Sequence, residues 1–385
     1  NEYPVSARAY PHILSVDSTG EDPAIVTAFP DIEKTGADDR PSPSTGTRWQ
    51  KYVRKIYTAT TGDPRLAGHM DRCIEAFNQD PEKMRSLINR LTYLPVHWKE
   101  TEKRINYRRF FTINGLICIN IHLKEVFSLY HRLIKNWSDE KWVDGLRIDH
   151  VDGLYDPSGY LTDLRMLCGE EMYMVVEKIL EKDERLPGWW PVQGSTGYDF
   201  LSLVNNLLTQ SGNGDFFYSY YRKWCKTSGD PERIFLEKKR WILYHRLRGD
   251  LDLLVHEFQS TGVVPPDRVS KDQLRKAIAE FMVHCPVYKI YRAPSGFSKE
   301  DRDAVREITE RAAGHAPEIS TALNLLKRMF LLKEAENDAR IIRIDRFFRR
   351  LMQFTGPLMA KGLEDTAFYT FNPFIAHNEV GDSPG

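Results

Sequence analysis

Two acidic residues, each directly after a short strand-like run, have the types and spacing that predict chemistry. Asp149 follows the run 143–148, and Glu177 follows the run 174–176. They are 28 residues apart, which is about the length of a strand–helix–strand unit. Because neighbouring parallel strands lie about 4.8 Å apart, carboxylates at matching strand ends can approach to about 5 to 5.5 Å. That separation is typical of the carboxylate pair of a retaining glycosidase.

An arginine and a histidine flank the first of these acids. Alternation along a strand puts Arg147 on the same face as Asp149, where its guanidinium can hold the carboxylate ionised. An ionised Asp149 suits the role of nucleophile, and Glu177 then suits the role of acid/base. His150 is predicted either to hydrogen-bond a sugar hydroxyl or to make a structural hydrogen bond. The alternative interpretation is an ordinary arginine–aspartate pair at a strand end, with Glu177 at the start of the next helix.

Short strands that alternate with amphipathic helices are the elements that would position these residues. Strand-like runs occur at 115–121, 143–148 and 174–176, and apolar residues at helical spacing lie between them. This order predicts parallel strands in an α/β fold. The chain from about 205 to 350 has a helical pattern throughout. We therefore predict four segments: a helical and loop segment 1–104, strands with the carboxylates in 105–204, a helical insertion 205–345, and a return to the sheet in 346–385.

Composition excludes several classes of protein. The chain has 385 residues, and 54 Lys and Arg balance 54 Asp and Glu, so a nucleic-acid binder with a net basic charge is disfavoured. No apolar run approaches the roughly 18 residues of a membrane helix, and the first residues carry no secretory signal. The five cysteines form no C-x-x-C pair, and no metal-ligand spacing is visible, so no metal or cofactor is predicted. We expect a cytoplasmic protein.

Five stretches resemble one enzyme family, in the order that the family has them. Residues 145–149 read Gly-Leu-Arg-Ile-Asp, which resembles the nucleophile motif of the α-amylase clan. The longer run 144–154 is similar to one branch of that clan, the maltooligosyltrehalose synthases. The acid/base region of these synthases resembles residues 175–200, and their upstream motif resembles residues 107–111. Their later signature resembles residues 355–369, followed by 378–381. The resemblance implies an incomplete (β/α)8 TIM barrel segment with large, mainly α-helical excursions.

The resemblance also implies a reaction and the residues of a pocket. In this family the reducing-end α-1,4 bond of a maltooligosaccharide becomes an α,α-1,1 bond, through a covalent glycosyl intermediate. Asp149 and Glu177 would be catalytic, and a maltooligosyltrehalose trehalohydrolase would be the pathway partner. The residues that would bind the maltooligosaccharide are Arg109, Arg147, His150, Tyr198, Asp199, Lys361, Glu364 and Asp365.

Two motifs of the clan have no match in the sequence. We find no strand with Asp and Asn-His before residue 105. The later strand that carries the third catalytic Asp in this family follows the Asn-Glu-Val-Gly stretch, and the sequence ends at Gly385 before it. We therefore expect an internal piece of a longer enzyme that is inactive alone. The alternatives are an α-amylase-like glucan hydrolase or another transglycosylase of the clan, and a non-catalytic glucan-binding module. Analysis of the reaction products distinguishes the enzyme alternatives from one another. Loss of activity on substitution of both carboxylates would exclude a non-catalytic binding module.

Overall fold

A computed structural model of the chain places most of its residues. It describes residues 5, 9–14, 43–91, 93–182, 184–225, 230–262, 268–293, 296–331 and 339–382. The chain divides into two compact units, Asn1–His97 and Trp98–Gly385. Within the described ranges, no helix is long and apolar enough to cross a membrane.

Three of the four described helices of the first unit begin at prolines. Asp63 Oδ1 accepts a hydrogen bond from the Arg65 N–H at 2.8 Å, and Asp80 caps the next helix in the same way. Proline suits the first turn because its missing N–H would have no partner there. Asp followed by Pro predicts a helix start from sequence alone, and the structure has one at Asp63. The described helices are α1 (Tyr10–Leu14), α2 (Pro43–Gly62), α3 (Pro64–Gln79) and α4 (Pro81–Ile88).

The second unit contains two small sheets. Strands β1 (Arg109–Phe110) and β2 (Ile113–Ile117) form an antiparallel hairpin. Strands β3 (Gly145–Ile148), β4 (Tyr173–Val176) and β5 (Gly194–Ser195) are parallel, in the order β3-β4-β5. The predicted strands at 143–148 and 174–176 are confirmed as parallel neighbours. The predicted strand at 115–121 begins two residues and ends four residues later than β2, whose pairing is antiparallel.

Helices cover the parallel sheet. Helix α5 (Lys124–Tyr130) and helix α6 (Arg132–Asp139) precede β3, and helix α7 (Pro157–Cys168) links β3 to β4. Apolar residues at helical spacing over 126–134 predict one continuous helical face here, but the structure divides it at His131. The His131 ring contacts the Phe127 carbonyl and the Tyr160 hydroxyl, each at 2.9 Å. A core behind the strands joins these helices to the sheet and includes Val151, Leu161, Leu164, Met174 and Val176.

The rest of the second unit is helical, which confirms the prediction for about 205 to 350 within the described residues. Its largest core lies among these helices. The last long helix continues into a π-helix, Met359–Ala367, which has a wider turn than an α-helix. The helices are α8 (Tyr198–Leu207), α9 (Gly214–Cys225), α10 (Pro231–His245), α11 (Arg248–Ser260), α12 (Lys271–His284), α13 (Lys299–His315), α14 (Ser320–Phe330), α15 (Ala339–Leu358) and α16 (Phe368–Thr370).

The fold is α/β and mainly helical, with a small parallel sheet. Segment 346–385, which we expected to return to the sheet, is helical as far as Thr370 and has no strand in its described residues up to 382. The unit boundary after His97 lies near the predicted boundary at 104. The four predicted segments stay a prediction.

Candidate active site

Asp149 and Glu177 leave the matching ends of two paired strands. Ile148 lies opposite Val176 in the parallel register, and the Glu177 N–H donates to the Ile148 carbonyl at 2.8 Å. Arg147 then joins the two side chains. Its Nη1 lies 3.0 Å from Asp149 Oδ1, and its Nη2 lies 3.0 Å from Glu177 Oε1. A single planar guanidinium therefore holds both carboxylates on one face of the sheet.

Glu177 is the more enclosed of the two acids. Its side chain is 21% exposed, against 64% for Asp149. Besides Arg147, the His150 backbone N–H donates to Glu177 Oε2 at 2.7 Å, and the Tyr198 hydroxyl donates to Oε1 at 3.3 Å. The Glu177 carboxyl is thus oriented by three donors from three elements, whereas Asp149 has one and faces outward.

His150 adopts a backbone conformation that most residues avoid. Its φ is 43°, in the left-handed region, and this turn directs the His150 N–H to Glu177. The imidazole stacks on Phe111 with a centroid distance of 4.5 Å and packs edge-on against Phe110 at 5.1 Å. Burial, with Arg108 and Lys289 nearby, lowers the pKa of His150 to about 4. The ring beside Asp149 is therefore neutral near pH 7.

Behind Glu177, the next residue in the chain is a fully buried cation. Lys178 Nζ lies 2.9 Å from Glu184 and 3.6 Å from Asp152, and its side chain is 0% exposed. The rings of Tyr288 and Tyr291 flank the same ammonium group. These contacts fix the backbone that follows β4, which limits how far Glu177 can move.

The π-helix brings two further predicted residues to this region. Lys361 Nζ lies 5.2 Å from the centroid of the Phe111 ring that stacks on His150, and Lys361 also pairs with Asp365. Glu364 shares a hydrogen bond with Tyr288, and burial raises the pKa of Glu364 to about 7. The predicted residue Lys361 therefore reaches the site through Phe111.

Tyr198 begins α8 and packs against the end of the described chain. A Cβ placed on Gly381 would lie 2.9 Å from the Tyr198 Cβ, so the glycine permits this close approach. Tyr198 also belongs to a small apolar cluster with Phe111, Ile179 and Val380. Three stretches that the resemblance singled out thus meet around Tyr198.

Two predicted residues lie apart from the carboxylates. The buried Arg109 guanidinium lies 3.4 Å from Asp250 and 3.2 Å from the Thr101 hydroxyl. Asp199 is exposed and accepts a hydrogen bond from the Ser195 hydroxyl at 2.7 Å. Neither side chain contacts Arg147, although Arg109 is among the residues that line the cavity beside Asp149. The substrate contacts of both residues stay predictions.

A cavity of about 1040 Å³ opens beside Asp149 and His150. The chain that follows β2 forms one side of it, and one face of α15 forms another. Its volume is slightly above the upper end of the usual range of pockets for small molecules, which is about 1,000 Å³. The exposed carboxylate of Asp149 therefore faces a space that can hold sugar rings.

Two proteins with similar sequences carry the same functional description. Two Mycobacterium tuberculosis proteins, from strains CDC 1551 / Oshkosh and H37Rv, are each 30% identical to it over 289 residues and are described as maltooligosyl trehalose synthases. The match covers 72% of this chain and 34% of each relative. The chain is a homologue of the maltooligosyltrehalose synthases. It spans about a third of the length of these relatives.

Solved structures agree with this homology. The structure of maltooligosyltrehalose synthase from Arthrobacter ramosus matches 78% of the chain with a TM-score of 0.68 and 28% identity, over 36% of its own length. A glycosyltrehalose synthase from strain DSM5389 matches 79% with a TM-score of 0.61 and 30% identity, over 35% of its length. No protein-family profile matches the chain.

Sequence reasoning missed two contacts of this synthase homologue. Arg147 was expected to hold Asp149 alone, and its second contact with Glu177 depends on the register of β3 and β4. Phe111 lies in a motif that we identified, but its stacking on His150 depends on positive φ values at both residues. The adjacent aromatic residues Phe110 and Phe111, within the upstream motif 107–111, were the available signal.

Proposed function

We propose that the protein is, in its whole form, a maltooligosyltrehalose-forming transglycosylase. The observation that carries this proposal is the shared guanidinium of Arg147, which holds Asp149 and Glu177 at the ends of adjacent parallel strands. The homology to maltooligosyltrehalose synthases supports the choice of an α-glucan substrate. Parallel strands with acids at their carboxyl ends also support the proposal that β3, β4 and β5 belong to a (β/α)8 barrel.

In the first step, Asp149 is the nucleophile. One Asp149 oxygen attacks the anomeric carbon that precedes the reducing-end glucose, and the bond from that carbon to the glucose O4 breaks. Glu177 gives its proton to O4, so the products are a glycosyl ester of Asp149 and a free glucose. The more exposed position of Asp149 leaves room for this attack, and the Tyr198 hydroxyl and His150 N–H orient the Glu177 carboxyl.

In the second step, the freed glucose returns through its own anomeric hydroxyl. Glu177 takes the proton of that hydroxyl, the new C1–O1 bond forms, and the ester bond to Asp149 breaks. The outcome is an α,α-1,1 bond with retention at the transferred carbon. Water at the same position would instead give hydrolysis, so the pocket must retain the glucose and exclude water. We propose that Lys361, Glu364 and Asp365 contribute to this pocket.

The remaining expectations follow from the same proposal. A trehalohydrolase that acts on the product is the expected pathway partner, and the cytoplasm is the expected location. Arg109 and Asp199 stay proposed binding residues, although their side chains face other partners here. Assay of the 385-residue chain with maltopentaose tests the expectation that it is inactive alone.

The test substitutes each carboxylate in the complete open reading frame. We expect Asp149→Asn and Glu177→Gln each to lower trehalose-type product from maltopentaose by about 10³-fold or more, as measured by NMR. Asp144→Asn is the matched control, because Asp144 is an exposed acid just before β3, and it should retain activity. Survival of activity in both variants would show that the site assignment is wrong.

A trapping experiment tests the covalent step separately. A 5-fluoro-α-glucosyl fluoride needs little help from an acid, because fluoride is a good leaving group. We expect mass spectrometry to find the fluoroglucosyl group on the peptide with Asp149, and to find none in Asp149→Asn. Product analysis distinguishes the alternatives: free glucose and shorter maltodextrins would indicate a hydrolase.

A further inference from the structure

One wall of the cavity beside Asp149 is a row of arginines. Arg343, Arg346 and Arg350 lie three and four residues apart on α15, and all three line the cavity. Residues at these intervals occupy successive turns of one helix face. The helix therefore presents three arginines to the cavity that Asp149 and His150 also line.

The charges in this row are largely uncompensated. Arg350 pairs with Glu257 at 3.5 Å, and the neighbouring Arg349 pairs with Asp345 and Asp156. Arg343 and Arg346 are exposed and have no ion pair or hydrogen bond within the part of the chain that the structure describes. Like charges three or four residues apart destabilise a helix by a few tenths of a kcal/mol, so the fold gains nothing from this row.

Arg108 also lines the cavity, and it is held against α15 itself. Arg108 donates from Nη2 to the Gly153 and Gln353 carbonyls at 3.0 and 3.1 Å, while its buried Nη1 has no hydrogen-bond partner among the described residues. The acids that line the cavity are Asp149 and Glu257, and each already contacts an arginine. The cavity therefore has an excess of positive charge.

We propose that the cavity binds a phosphate group, with Arg343 and Arg346 as its principal ligands. A guanidinium fork matches phosphate oxygens in a bidentate arrangement, and two forks one turn apart can hold one dianion. The inference goes beyond the proposed function, because a neutral maltooligosaccharide has no charge that these arginines could neutralise. The phosphate is either free or carried by a sugar, and the volume of about 1040 Å³ accommodates both.

Calorimetric titration of the 385-residue chain tests this inference without any turnover. The probes are inorganic phosphate, glucose 6-phosphate and uncharged maltotriose, at fixed ionic strength. We expect phosphate to bind, and we expect its affinity to fall about tenfold or more in Arg343→Gln/Arg346→Gln. The phosphate affinity of Arg346→Lys should lie between that of the unaltered chain and that of the double variant, since lysine keeps the charge but lacks the guanidinium fork. Tighter binding of glucose 6-phosphate than of phosphate would identify a sugar phosphate as ligand, and equal affinities would identify the free ion.

Arg132→Gln is the control, because Arg132 is another exposed arginine of the same unit that does not line the cavity. It should bind phosphate like the unaltered chain, and circular dichroism should show all variants folded. The inference is overturned if phosphate does not bind, or if the double variant binds as tightly as the control. Neither result bears on trehalose formation, so the two proposals fail independently.

Discussion

His150 is the residue where backbone conformation, burial and the catalytic carboxyl meet. Its left-handed turn brings the N–H to Glu177, and Phe111 and Phe110 enclose the ring. Because this imidazole is neutral in the folded protein, it lowers the free energy of unfolding at acidic pH. Its pKa of about 4 in the folded protein compares with 6.5 when the chain is unfolded. The unfolded chain therefore binds more protons between these two pH values.

The first prediction concerns stability against pH. Above about pH 6.5, His150 does not lower the free energy of unfolding. As the pH falls toward 4, proton binding by this histidine in the unfolded chain lowers the free energy of unfolding by about 2 to 3 kcal/mol in total. His150→Asn, which tolerates the left-handed turn, should remove that loss. We expect the unfolding free energy of this variant, measured in urea, to fall less than that of the unaltered chain between pH 6.5 and 4.5.

The comparison between variants is needed because other groups act in the opposite direction. Burial raises the pKa of Glu181 and of Glu364 to about 7. Because of these two carboxyls, the free energy of unfolding falls as the pH rises from about 4.5 to 7. They are unchanged in the variant, so their effect cancels. His256→Asn, at an exposed histidine of the same unit, is the matched control substitution. Parallel curves for His150→Asn and the unaltered chain would contradict the prediction.

A second residue-scale prediction concerns Arg147. Lysine at this position keeps the positive charge but has a single ammonium group, which cannot make the two 3.0 Å contacts with Asp149 and Glu177 through separate nitrogens. We expect Arg147→Lys in the complete open reading frame to lower kcat for trehalose formation by about 10²-fold, through misplacement of the carboxyls. Arg132→Lys serves as control, and equal kcat values in the two variants would contradict the role of the shared guanidinium.

At the scale of elements, the sequence predicted those whose signal is local. Strands β3 and β4 were visible as apolar runs, and the start of α3 was visible from Asp63 and Pro64. The π-helix was not, because no local pattern distinguishes it from the end of α15. The orientation of Arg109 was also hidden, since its partner Asp250 lies 141 residues further along the chain. Contacts of this kind depend on tertiary packing rather than on periodicity.

The third prediction tests how the π-helix packs on α10. A Cβ placed on Gly362 would lie 2.9 Å from both Cα and Cγ of Lys239, and the Lys239 backbone cannot move aside cheaply. We expect Gly362→Ala to lower the free energy of unfolding by about 1 to 3 kcal/mol in a urea titration. Gly314→Ala in α13 is the matched control, because a Cβ there would meet no heavy atom of the described chain within 4 Å. Alanine should leave stability at 314 unchanged or raise it by up to about 1 kcal/mol, and a similar loss at both positions would refute the packing argument.

At the scale of the whole molecule, each apolar core belongs to a single unit. The small clusters around Tyr52 and Phe77 lie within the first unit, and the large cluster of helices α10 to α15 lies within the second. The candidate active site also lies entirely in the second unit, since its residues run from Phe111 to Gly381. Sequence patterns located both carboxylates there, but the division after His97 follows from contacts that periodicity does not reveal.

The last prediction follows from this division. A chain shortened to 98–385 retains the whole of the second unit's core, so we expect it to fold alone, with a helical circular dichroism spectrum and a single cooperative urea transition. The cavity and its arginines should remain as well, and phosphate affinity should equal that of the 385-residue chain. Asp250→Leu in the shortened chain is a useful control, because it leaves the buried cation Arg109 without its carboxylate and should destabilise the fold by about 3 kcal/mol or more. A broad transition in the unaltered 98–385 chain, with binding of a hydrophobic dye, would show that the second unit depends on the first for its packing.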